Sequence, residues 1–496
     1  MNIDKNLGFK KNPFSKRSSE QELDFIHKIF YEPNYYKTLL NDLSNGDSSF
    51  IIGQRGHGKT AVINKLFDDL VVQDDLFIIK IDRFDSIPVK RNESAFLKII
   101  LKEAVTKLGI VLTKNRFLVS KLSRIEKQKL AFLIQHFFRT INNDEYSQVY
   151  NNVKKIRIKN FFVRLYNSFF LKTANSITSA VVGITSNIIS QSLGLNQIEP
   201  PPTYREYLGP ISLTDFSKID IDSLEISKEN LKHILDDLLS ILEALDFKTL
   251  VVLFDKIDEY QELNQDISKI GLFTREILSD TELLMNSKLA IGFSLWSELK
   301  SELGGIVRFD KFDSVDVSWQ PRDLEPLINK RIAHFSINVK KKLSDLIDFQ
   351  GDIDEIINLS RRSPRDLITL LGEIYKEQAN SNPNAQKFES GAISKGMINF
   401  CTNYDYDSLY PSKTGKNKDI KSMINRILAI KLTRFTLRNL SDTFNQPASQ
   451  SEGQIKKMIQ YELINEEEIL SNTNAKFFEI IDPKVSYLIR RAINRI

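Results

Sequence analysis

The stretch "IIGQRGHGKT", from Ile51 to Thr60, decides how this chain folds. Its last eight residues, Gly53-Gln54-Arg55-Gly56-His57-Gly58-Lys59-Thr60, match the pattern G-x-x-x-x-G-K-[ST]. Glycines at these places let successive backbone N–H groups turn inward around phosphate oxygens. The pattern therefore predicts a phosphate-binding loop (P-loop), with Lys59 on the β- and γ-phosphates and the Thr60 hydroxyl on Mg²⁺.

The flanking sequence supplies the context that this motif requires. "SSFIIG" before the loop is a short apolar strand. "KTAVINKLFDDL" after it has Val62, Leu66 and Leu70 at helical spacing. A helix that begins near Lys59 points the positive end of its dipole at the phosphates. A strand, a P-loop and a helix predict an α/β fold with a parallel sheet.

A second segment supplies the acid that a P-loop needs for magnesium. In "KTLVVLFDKIDEY", the five apolar residues from Leu250 to Phe254 predict a buried strand that ends in Asp255. We expect this strand to neighbour the P-loop strand, so that Asp255 meets Mg²⁺ beside Thr60. About 190 residues separate the two motifs, which predicts a large insertion.

The residue after Asp255 departs from the pattern of many P-loop ATPases, which have a glutamate there to polarise the attacking water. Lys256 cannot act as that base. A helical turn would bring Asp258 and Glu259 back to the same side, so these two are the candidate bases. The alternative is slow hydrolysis, with ATP acting mainly as a switch.

Composition limits the class of protein. A chain of 496 residues predicts two to four domains, and 41% apolar with 27% charged residues is ordinary for a globular protein. One cysteine, Cys401, excludes an internal disulfide and fits a reducing compartment. The opening "MNIDKNLGFKKNPF" lacks the apolar core of a signal peptide, so we expect a cytoplasmic protein.

The net charge of +5 is unevenly distributed. The segment from Val111 to Lys172 contains thirteen Lys or Arg residues and three acidic residues, which is an excess of ten positive charges. Aromatic residues lie among these charges in the sequence. This predicts contact with nucleic acid or with an acidic partner. The alternative is a solvated helical face with aromatics in its own core.

The stretch from Thr173 to Ile198 has no charged residue. Half of it is Ser, Thr, Asn or Gln, which is too polar for an unaided membrane span. Ile177, Val181, Ile184 and Ile188 recur at helical spacing, and we therefore expect an amphipathic helix packed on protein.

Together, "NPF" at Asn12–Phe14, "GQRGHGKT" and "VVLFDKIDE" resemble the Orc/Cdc6-type and signalling branches of the AAA+ and STAND P-loop ATPases. The resemblance implies an ATPase that converts ATP and water to ADP and phosphate. Such proteins load other proteins onto DNA, or act as switches in bacterial defence against phage or in mobile-element biology. A homo-oligomer is left open.

The resemblance continues downstream of Asp255. "SKLAIGFSLW" lies at the place of the sensor-1 strand, with Ser294 as its polar residue. "GGIVRFDKFDSVDVSWQPRDLEPLINKRI" resembles the passage from the last core strand into the lid, with Arg308 where an arginine finger is found. "SRRSPRDLITLLGEI" resembles the start of the sensor-2 helix, with Arg365 as the sensor arginine.

The C-terminal part resembles a winged helix. "KDIKSMINRILAI", "TLRNLSDTF" and "SEGQIKKMIQYEL" predict three helices, "NEEEILSN" and "AKFFEIID" a β-hairpin turning at "TN", and "PKVSYLIRRAINRI" a closing helix. The candidate recognition helix has Lys456 and Lys457 but also Glu452 and Glu462. DNA and protein therefore remain alternative partners for this domain.

These observations predict four units. They are an N-terminal helical segment (1–47), a P-loop ATPase core (48–320) with a basic helical insertion (about 111–202), a helical lid (321–400) and a winged helix (405–496). The function we expect is an ATP- and Mg²⁺-dependent switch or loader that acts with DNA or a partner protein. The alternative is a non-catalytic nucleic-acid-binding scaffold in which the nucleotide is a structural ligand.

Overall fold

The computed structural model describes residues 3–90, 92–138, 189–190, 193–196, 226–409, 419–467 and 476–496. Most of the basic segment beyond residue 138 lies outside the described residues, and so does most of the amphipathic helix expected between Thr173 and Ile198. The proline-containing stretch "EPPPTYREYLGP" that closes the expected insertion lies outside them as well.

A five-stranded parallel sheet forms the centre of the molecule. Its strands are β1 (Ser49–Gly53), β2 (Leu76–Ile81), β3 (Thr249–Phe254), β4 (Leu289–Trp296) and β5 (Asp313–Asp316), in the order β2-β3-β4-β1-β5. The expectation that β3 neighbours β1 is wrong, because β4 lies between them. Parallel strands all end at one edge of the sheet, so the residue after β3 still lies on the same edge as the loop after β1.

Alternate residues of each central strand face two different hydrophobic cores. Phe50 and Ile52 of β1 join the first core, while Ile51 joins the second. Phe254 of β3 stacks on Phe293 of β4 with ring centroids 4.5 Å apart in the first core. Burial on both faces explains why β1 and β3 read as continuous apolar runs.

Helices cover both faces of the sheet. The described helices up to the end of the sheet are α1 (Ile3–Asn6), α2 (Ile26–Ile29), α3 (Tyr36–Asn45), α4 (Lys59–Val71), α5 (Glu93–Lys114), α6 (Arg124–Phe137), α7 (Lys228–Ala244), α8 (Ile267–Ser279), α9 (Thr281–Leu284) and α10 (Ser297–Leu303). Helices α5 to α8 pack in the first core, and α3 and α4 pack in the second. In α4, Val62, Leu66 and Leu70 are buried, as their spacing predicts.

The lid follows β5 directly. It consists of α11 (Pro321–Phe335), α12 (Gln350–Leu359), α13 (Pro364–Ser381) and α14 (Ser390–Thr402). Pro321 and Pro364 each occupy the first position of a helix, where the missing N–H costs nothing. The predicted passage from the last strand of the sheet into the lid is therefore observed.

The N-terminal segment expected to be helical (1–47) consists of several short elements and is not one continuous helix. It forms a 3-10 turn at Ser19–Glu22, then the one-turn α2, and begins α3 only at Tyr36. Pro33 explains the break, because a proline excludes the helical conformation from the residue before it. Phe14 of the "NPF" motif is buried in the hydrophobic core of the lid.

The C-terminal unit contains both helices and a small sheet. Its elements are α15 (Tyr406–Leu409), α16 (Ile420–Ile430), β6 (Arg434–Thr436), α17 (Leu437–Phe444), α18 (Ala448–Gln460), β7 (Ile464–Glu466), β8 (Phe477–Ile480) and α19 (Pro483–Arg490). The strands form an antiparallel sheet in the order β6-β8-β7. The sequence did not predict β6, the closing helix is shorter than expected, and the expected "TN" turn lies outside the described residues.

One continuous core joins the lid, the C-terminal unit and part of the N-terminal segment. It contains Phe9 and Phe14, Leu371 of the lid and Ile424 of the C-terminal unit. The predicted boundary between residues 400 and 405 therefore does not separate two cores. We call this body the lid core. No helix among the described residues is both long enough and apolar enough to cross a membrane.

A buried ion pair fixes the N-terminal segment to the lid. Arg331 of α11 pairs with Glu22, and both side chains are almost fully buried. Arg331 also donates to the carbonyl oxygens of Pro13 and Lys16, at 2.6 and 2.9 Å. One guanidinium thus holds three points of the segment.

We expect Arg331→Met to lower the free energy of unfolding by about 3 kcal/mol, because it leaves Glu22 as an uncompensated buried charge. The double variant Arg331→Met/Glu22→Met should lose less than the single variant, since no buried charge remains. Urea unfolding measures both, with Arg322→Met, an exposed arginine of the same helix, as control. Equal losses for Arg331→Met and Arg322→Met would contradict the anchoring role.

Candidate functional site

The P-loop has the backbone that its glycines predict. Gly56 and Gly58 have φ of +85° and +96°, which L side chains rarely adopt. A Cβ on Gly56 would also lie 2.6 Å from the Ser363 Oγ atom of the lid. Helix α4 begins at Lys59, so its first N–H groups lie at the end of the loop. This arrangement can bind an anion.

Lys59 is buried and folded back on its own loop. Its ammonium donates to the carbonyl oxygens of Gly53 and Gln54, at 2.8 and 3.2 Å. Burial lowers the pKa of Lys59, and the nearby carboxylates of Asp258 and Asp255 oppose this shift. Lys59 thus provides a positive charge within the loop that a phosphate would approach.

Thr60 and Asp255 meet although their strands are not neighbours. The Thr60 hydroxyl donates to Asp255 Oδ1 at 3.3 Å, while Asp255 Oδ2 is buried and, among the described residues, has no hydrogen-bond partner. Burial raises the pKa of the Asp255 carboxyl, and the Lys80 cation opposes this. A hydroxyl and an unsatisfied carboxylate oxygen fit Mg²⁺, which prefers one or two carboxylates together with substrate phosphates and water.

The chain after Asp255 turns back into the same cavity. Lys256 has a φ of +62°, and Ile257–Glu259 forms a 3-10 turn. Asp258 and Glu259 both line the cavity that Lys59, Thr60 and Asp255 line. The helical turn that the base assignment required is therefore present. Which carboxylate acts as the base stays a prediction.

Ser294 reaches the cavity from the strand between β1 and β3. It pairs with Ile51 in the register of β4 and β1. Its hydroxyl is buried with no hydrogen-bond partner in the described part of the chain. An unsatisfied hydroxyl beside Asp255 and Thr60 is a donor that a phosphate oxygen or a water can accept from.

Helix α13 of the lid contacts the P-loop at the carbonyl oxygen of Gly56. Ser363 Oγ and the Arg365 backbone N–H both donate to Gly56 O, at 3.3 and 3.4 Å. Arg365 is the second residue of α13, and its side chain lines the cavity together with Pro364 and Ile368. The helix start predicted at "SPRD" thus places the predicted sensor arginine over the P-loop.

Four predicted residues are not in this cavity. Gly53, Gln54 and His57 line a larger cleft of about 1040 Å³ between the core, the lid and the C-terminal unit. Arg308 is exposed and forms a bidentate ion pair with Asp310, at 2.9 and 2.8 Å. As an arginine finger, Arg308 would have to act on phosphates bound by a second copy of the chain, and that role stays a prediction.

His57 has a structural task that the sequence did not show. Its Nδ1 lies 3.1 Å from the carbonyl oxygen of Val317, and its own carbonyl oxygen accepts from Trp319 Nε1 at 2.8 Å. A carbonyl only accepts, so Nδ1 carries the proton. Burial lowers the pKa of His57 to about 4. The neutral ring therefore ties the P-loop to the residues that follow β5.

The sequence missed one wall of the cavity. Arg17, Ser18, Ser19, Glu20 and Glu22 of the N-terminal segment line it opposite Asp255 and Lys256. Glu20 Oε1 lies 2.7 Å from Lys256 Nζ. The segment has no nucleotide-binding pattern, and only the "NPF" motif before it marked the region.

The described part of the basic segment shows how two of its lysines are used. Lys121 pairs with Asp246, and Lys129 pairs with Asp237 of α7. Both lysines therefore form ion pairs within the protein. The residues from 139 to 172, which hold seven of the thirteen basic residues, lie outside the described part.

Comparison with known proteins gives a likeness of fold. No protein-family model matches the chain, and no curated protein matches its sequence. The chain is similar to the solved structure of Cdc6p from Pyrobaculum aerophilum, at 12% identity over 99% of this chain and 98% of that one, with a TM-score of 0.30. It is also similar to Orc1 from Aeropyrum pernix in complex with DNA, at 9% identity over 97% of each chain and a TM-score of 0.38.

A third similar structure is a RuvB variant from Thermotoga maritima, at 10% identity over 92% of this chain and 93% of that one, with a TM-score of 0.29. These low identities and TM-scores carry no statement about activity. The chain itself has a five-stranded parallel sheet in the order β2-β3-β4-β1-β5, with the P-loop between β1 and α4 and the helices of the lid after β5.

The ionisation of His57 predicts a pH dependence of stability. The folded pKa is about 4 and the unfolded value is about 6.5. The contribution is therefore complete above pH 6.5 and is lost as the pH falls toward 4. At about 1.4 kcal/mol per pH unit, wild type should lose about 2 kcal/mol between pH 6.5 and pH 5 relative to His57→Asn.

The comparison uses urea unfolding of both proteins at pH 7 and pH 5. Asparagine keeps a donor near the Nδ1 position but does not titrate, so it isolates the ionisation from the hydrogen bond. A stability difference that stays constant from pH 7 to pH 5 would contradict the burial of a neutral ring.

Proposed function

We propose that this protein is an AAA+ ATPase that binds ATP with Mg²⁺ and uses the nucleotide to control the position of its lid. The observation that carries the proposal is the convergence of Lys59, Thr60, Asp255 and Arg365 on one cavity, although they come from separate parts of the chain. The backbone geometry of the loop and the unsatisfied Asp255 oxygen support the same conclusion.

Each group has a chemical task in this proposal. The loop N–H groups and Lys59 bind the phosphates, with Lys59 exchanging its present carbonyl acceptors for phosphate oxygens. Thr60 and Asp255 would hold Mg²⁺, which neutralises developing charge on the phosphates when bound. Ser294 would donate to the terminal phosphate or to its water.

Hydrolysis in this site is proposed to be slow. Asp258 or Glu259 would orient the attacking water, because both line the cavity. The position directly after Asp255 holds the lysine instead of a carboxylate. A site that binds a triphosphate well and cleaves it slowly suits a switch.

Arg365 would couple the nucleotide to the lid. It lies in the first turn of α13, while the phosphates would lie on the P-loop. A charge-assisted hydrogen bond from Arg365 to the terminal phosphate would add to the two lid contacts at Gly56 O. Loss of that phosphate would remove the added contact and loosen the lid.

We propose that the C-terminal unit is a winged-helix domain that contacts DNA or a partner protein. The order of its elements supports this proposal: helix α16, strand β6, helices α17 and α18, and strands β7 and β8, with the three strands forming an antiparallel sheet. Lys456 and Lys457 are exposed on α18, but Glu452 is exposed there too and Lys457 lies 3.6 Å from Asp419. The charge pattern therefore favours neither kind of partner.

Lys59→Ala should weaken ATP binding about 100-fold or more without unfolding the chain, because the lysine would make charged hydrogen bonds to two phosphates. Isothermal titration with ATP and Mg²⁺ measures the affinity. Lys65→Ala is the control, since Lys65 is the next lysine of α4 and pairs with Asp69. Equal ATP affinity in wild type and Lys59→Ala would exclude the proposed site.

The base assignment predicts different results for two conservative variants. Removing the true base, by Asp258→Asn or Glu259→Gln, should lower steady-state phosphate release about 100-fold or more while sparing ATP binding. Asp255→Asn should instead weaken the dependence on Mg²⁺.

The assay is run with and without duplex DNA. Wild-type turnover in both variants would show that neither carboxylate is the base. ATP binding with no phosphate release under either condition would favour the alternative of a nucleic-acid-binding scaffold with a structural nucleotide.

A further inference from the structure

Lys256 occupies a decisive place in the cavity. It follows the proposed metal carboxylate Asp255 directly, and its φ of +62° is uncommon for a residue with a side chain. Its side chain is about four-fifths buried and lines the cavity with Lys59, Thr60 and Ser294. A lysine at this position brings a second ammonium group to the phosphate end of the site.

The partner of Lys256 comes from the other side of the cavity. Glu20 belongs to the 3-10 turn at Ser19–Glu22, and its carboxylate lies 2.7 Å from the Lys256 ammonium. The turn is held on both sides, because Ser19 accepts from Asn64 of α4 at 3.3 Å and Glu22 pairs with Arg331. The carboxylate is therefore positioned by the fold.

The ion pair joins two bodies of the protein. Lys256 follows β3 of the central sheet, while the residues that precede the turn pack in the lid core through Phe9 and Phe14. The cavity between them has a volume of about 120 Å³. Ligand pockets are usually about 300–1,000 Å³, so a whole nucleoside triphosphate would also occupy neighbouring space, such as the larger cleft lined by Gly53, Gln54 and His57.

The charges that line the cavity are balanced. Five are cationic and five are carboxylates: Arg17, Arg55, Lys59, Lys256, Arg365, and Glu20, Glu22, Asp255, Asp258, Glu259. A triphosphate with one Mg²⁺ adds net negative charge, so it is bound best where a carboxylate can leave a cation. Glu22 is held by the buried Arg331, whereas Glu20 is more than one-third exposed and can move toward solvent.

We propose that Lys256 is a ligand of the terminal phosphate, and that the Glu20 carboxylate occupies the position which that phosphate takes. Carboxylate and phosphate are both oxyanions that accept charged hydrogen bonds from an ammonium. Entry of a triphosphate exchanges one for the other, which opens the N-terminal wall of the cavity. The proposal rests on ATP binding at the P-loop, and it adds that the site selects triphosphate over diphosphate through Lys256.

The exchange explains why a lysine stands in this position. A carboxylate there would orient water against the terminal phosphate, whereas an ammonium stabilises the phosphate that is bound. The N-terminal segment then reports the presence of the third phosphate, since Glu20 is released only when that phosphate reaches Lys256.

Isothermal titration of a non-hydrolysable ATP analogue and of ADP, both with Mg²⁺, tests the proposal. We expect Lys256→Gln to weaken the triphosphate about 10- to 100-fold and ADP less than about threefold, since one charged hydrogen bond is lost with the terminal phosphate alone. Lys256→Arg should keep the preference for triphosphate. Lys288→Gln, from the surface pair with Glu243, is the control.

The variant Glu20→Gln distinguishes an exchange of Glu20 for phosphate at Lys256 from a general repulsion between Glu20 and the phosphates. It should tighten triphosphate binding several-fold in wild type, because the competing carboxylate is gone, and should give no further gain in the Lys256→Gln background. An equal gain in both backgrounds would overturn the exchange, as would equal effects of Lys256→Gln on triphosphate and ADP.

A wild type that binds neither nucleotide would overturn the proposed function as well, whereas binding that needs Lys59 but is indifferent to Lys256 would overturn this inference alone.

Discussion

The carbonyl oxygen of Gly56 is the point at which the P-loop and the lid meet. It accepts from Ser363 Oγ and from the Arg365 N–H, and there is no room for a side chain at position 56. Two constraints therefore favour glycine at position 56: the positive φ of the backbone and the close approach of Ser363 from the lid. Because the N–H groups of the same loop would bind the phosphates, the nucleotide and the lid would contact the same short piece of backbone through different groups.

The lid does not move alone. It shares one hydrophobic core with the C-terminal unit and with the first part of the N-terminal segment. Polar contacts strengthen this union: Arg361 lies 3.3 Å from the buried Asp482, and the Tyr404 hydroxyl donates to Asp366 at 2.7 Å. A displacement of α13 large enough to break the Gly56 contacts must carry the C-terminal unit with it, since separating them would expose a core.

Local signals explain what the sequence predicted well. The strands β1, β3 and β4 are continuous apolar runs, α4 has a regular buried face, and α13 begins at a serine followed by a proline. Each of these features is decided by neighbours within a few residues. Lys59 and Thr60 could therefore be assigned from the P-loop pattern and Asp255 from the strand before it, whereas Ser294 and Arg365 were assigned from the family resemblance.

The parts that the sequence did not predict depend on distant contacts or on very short elements. Glu22 and Arg331 are 309 positions apart, and no periodicity announces their pairing. Strand β6 has three residues, too few to show alternation. The hydrogen bonds of His57 could not be predicted, because its partners Val317 and Trp319 follow it by about 260 residues.

The N-terminal segment links the lid core to the central sheet. It packs in the lid core, yet Glu20 reaches a lysine that belongs to the sheet. The contacts between the lid side and the P-loop side include two hydrogen bonds at Gly56 O, the hydrogen bond from Trp319 to His57 O and the ion pair at Lys256. In our proposal a triphosphate replaces Glu20 at Lys256 and gains a contact with Arg365, so its free energy of binding acts on the contacts that set the position of the lid.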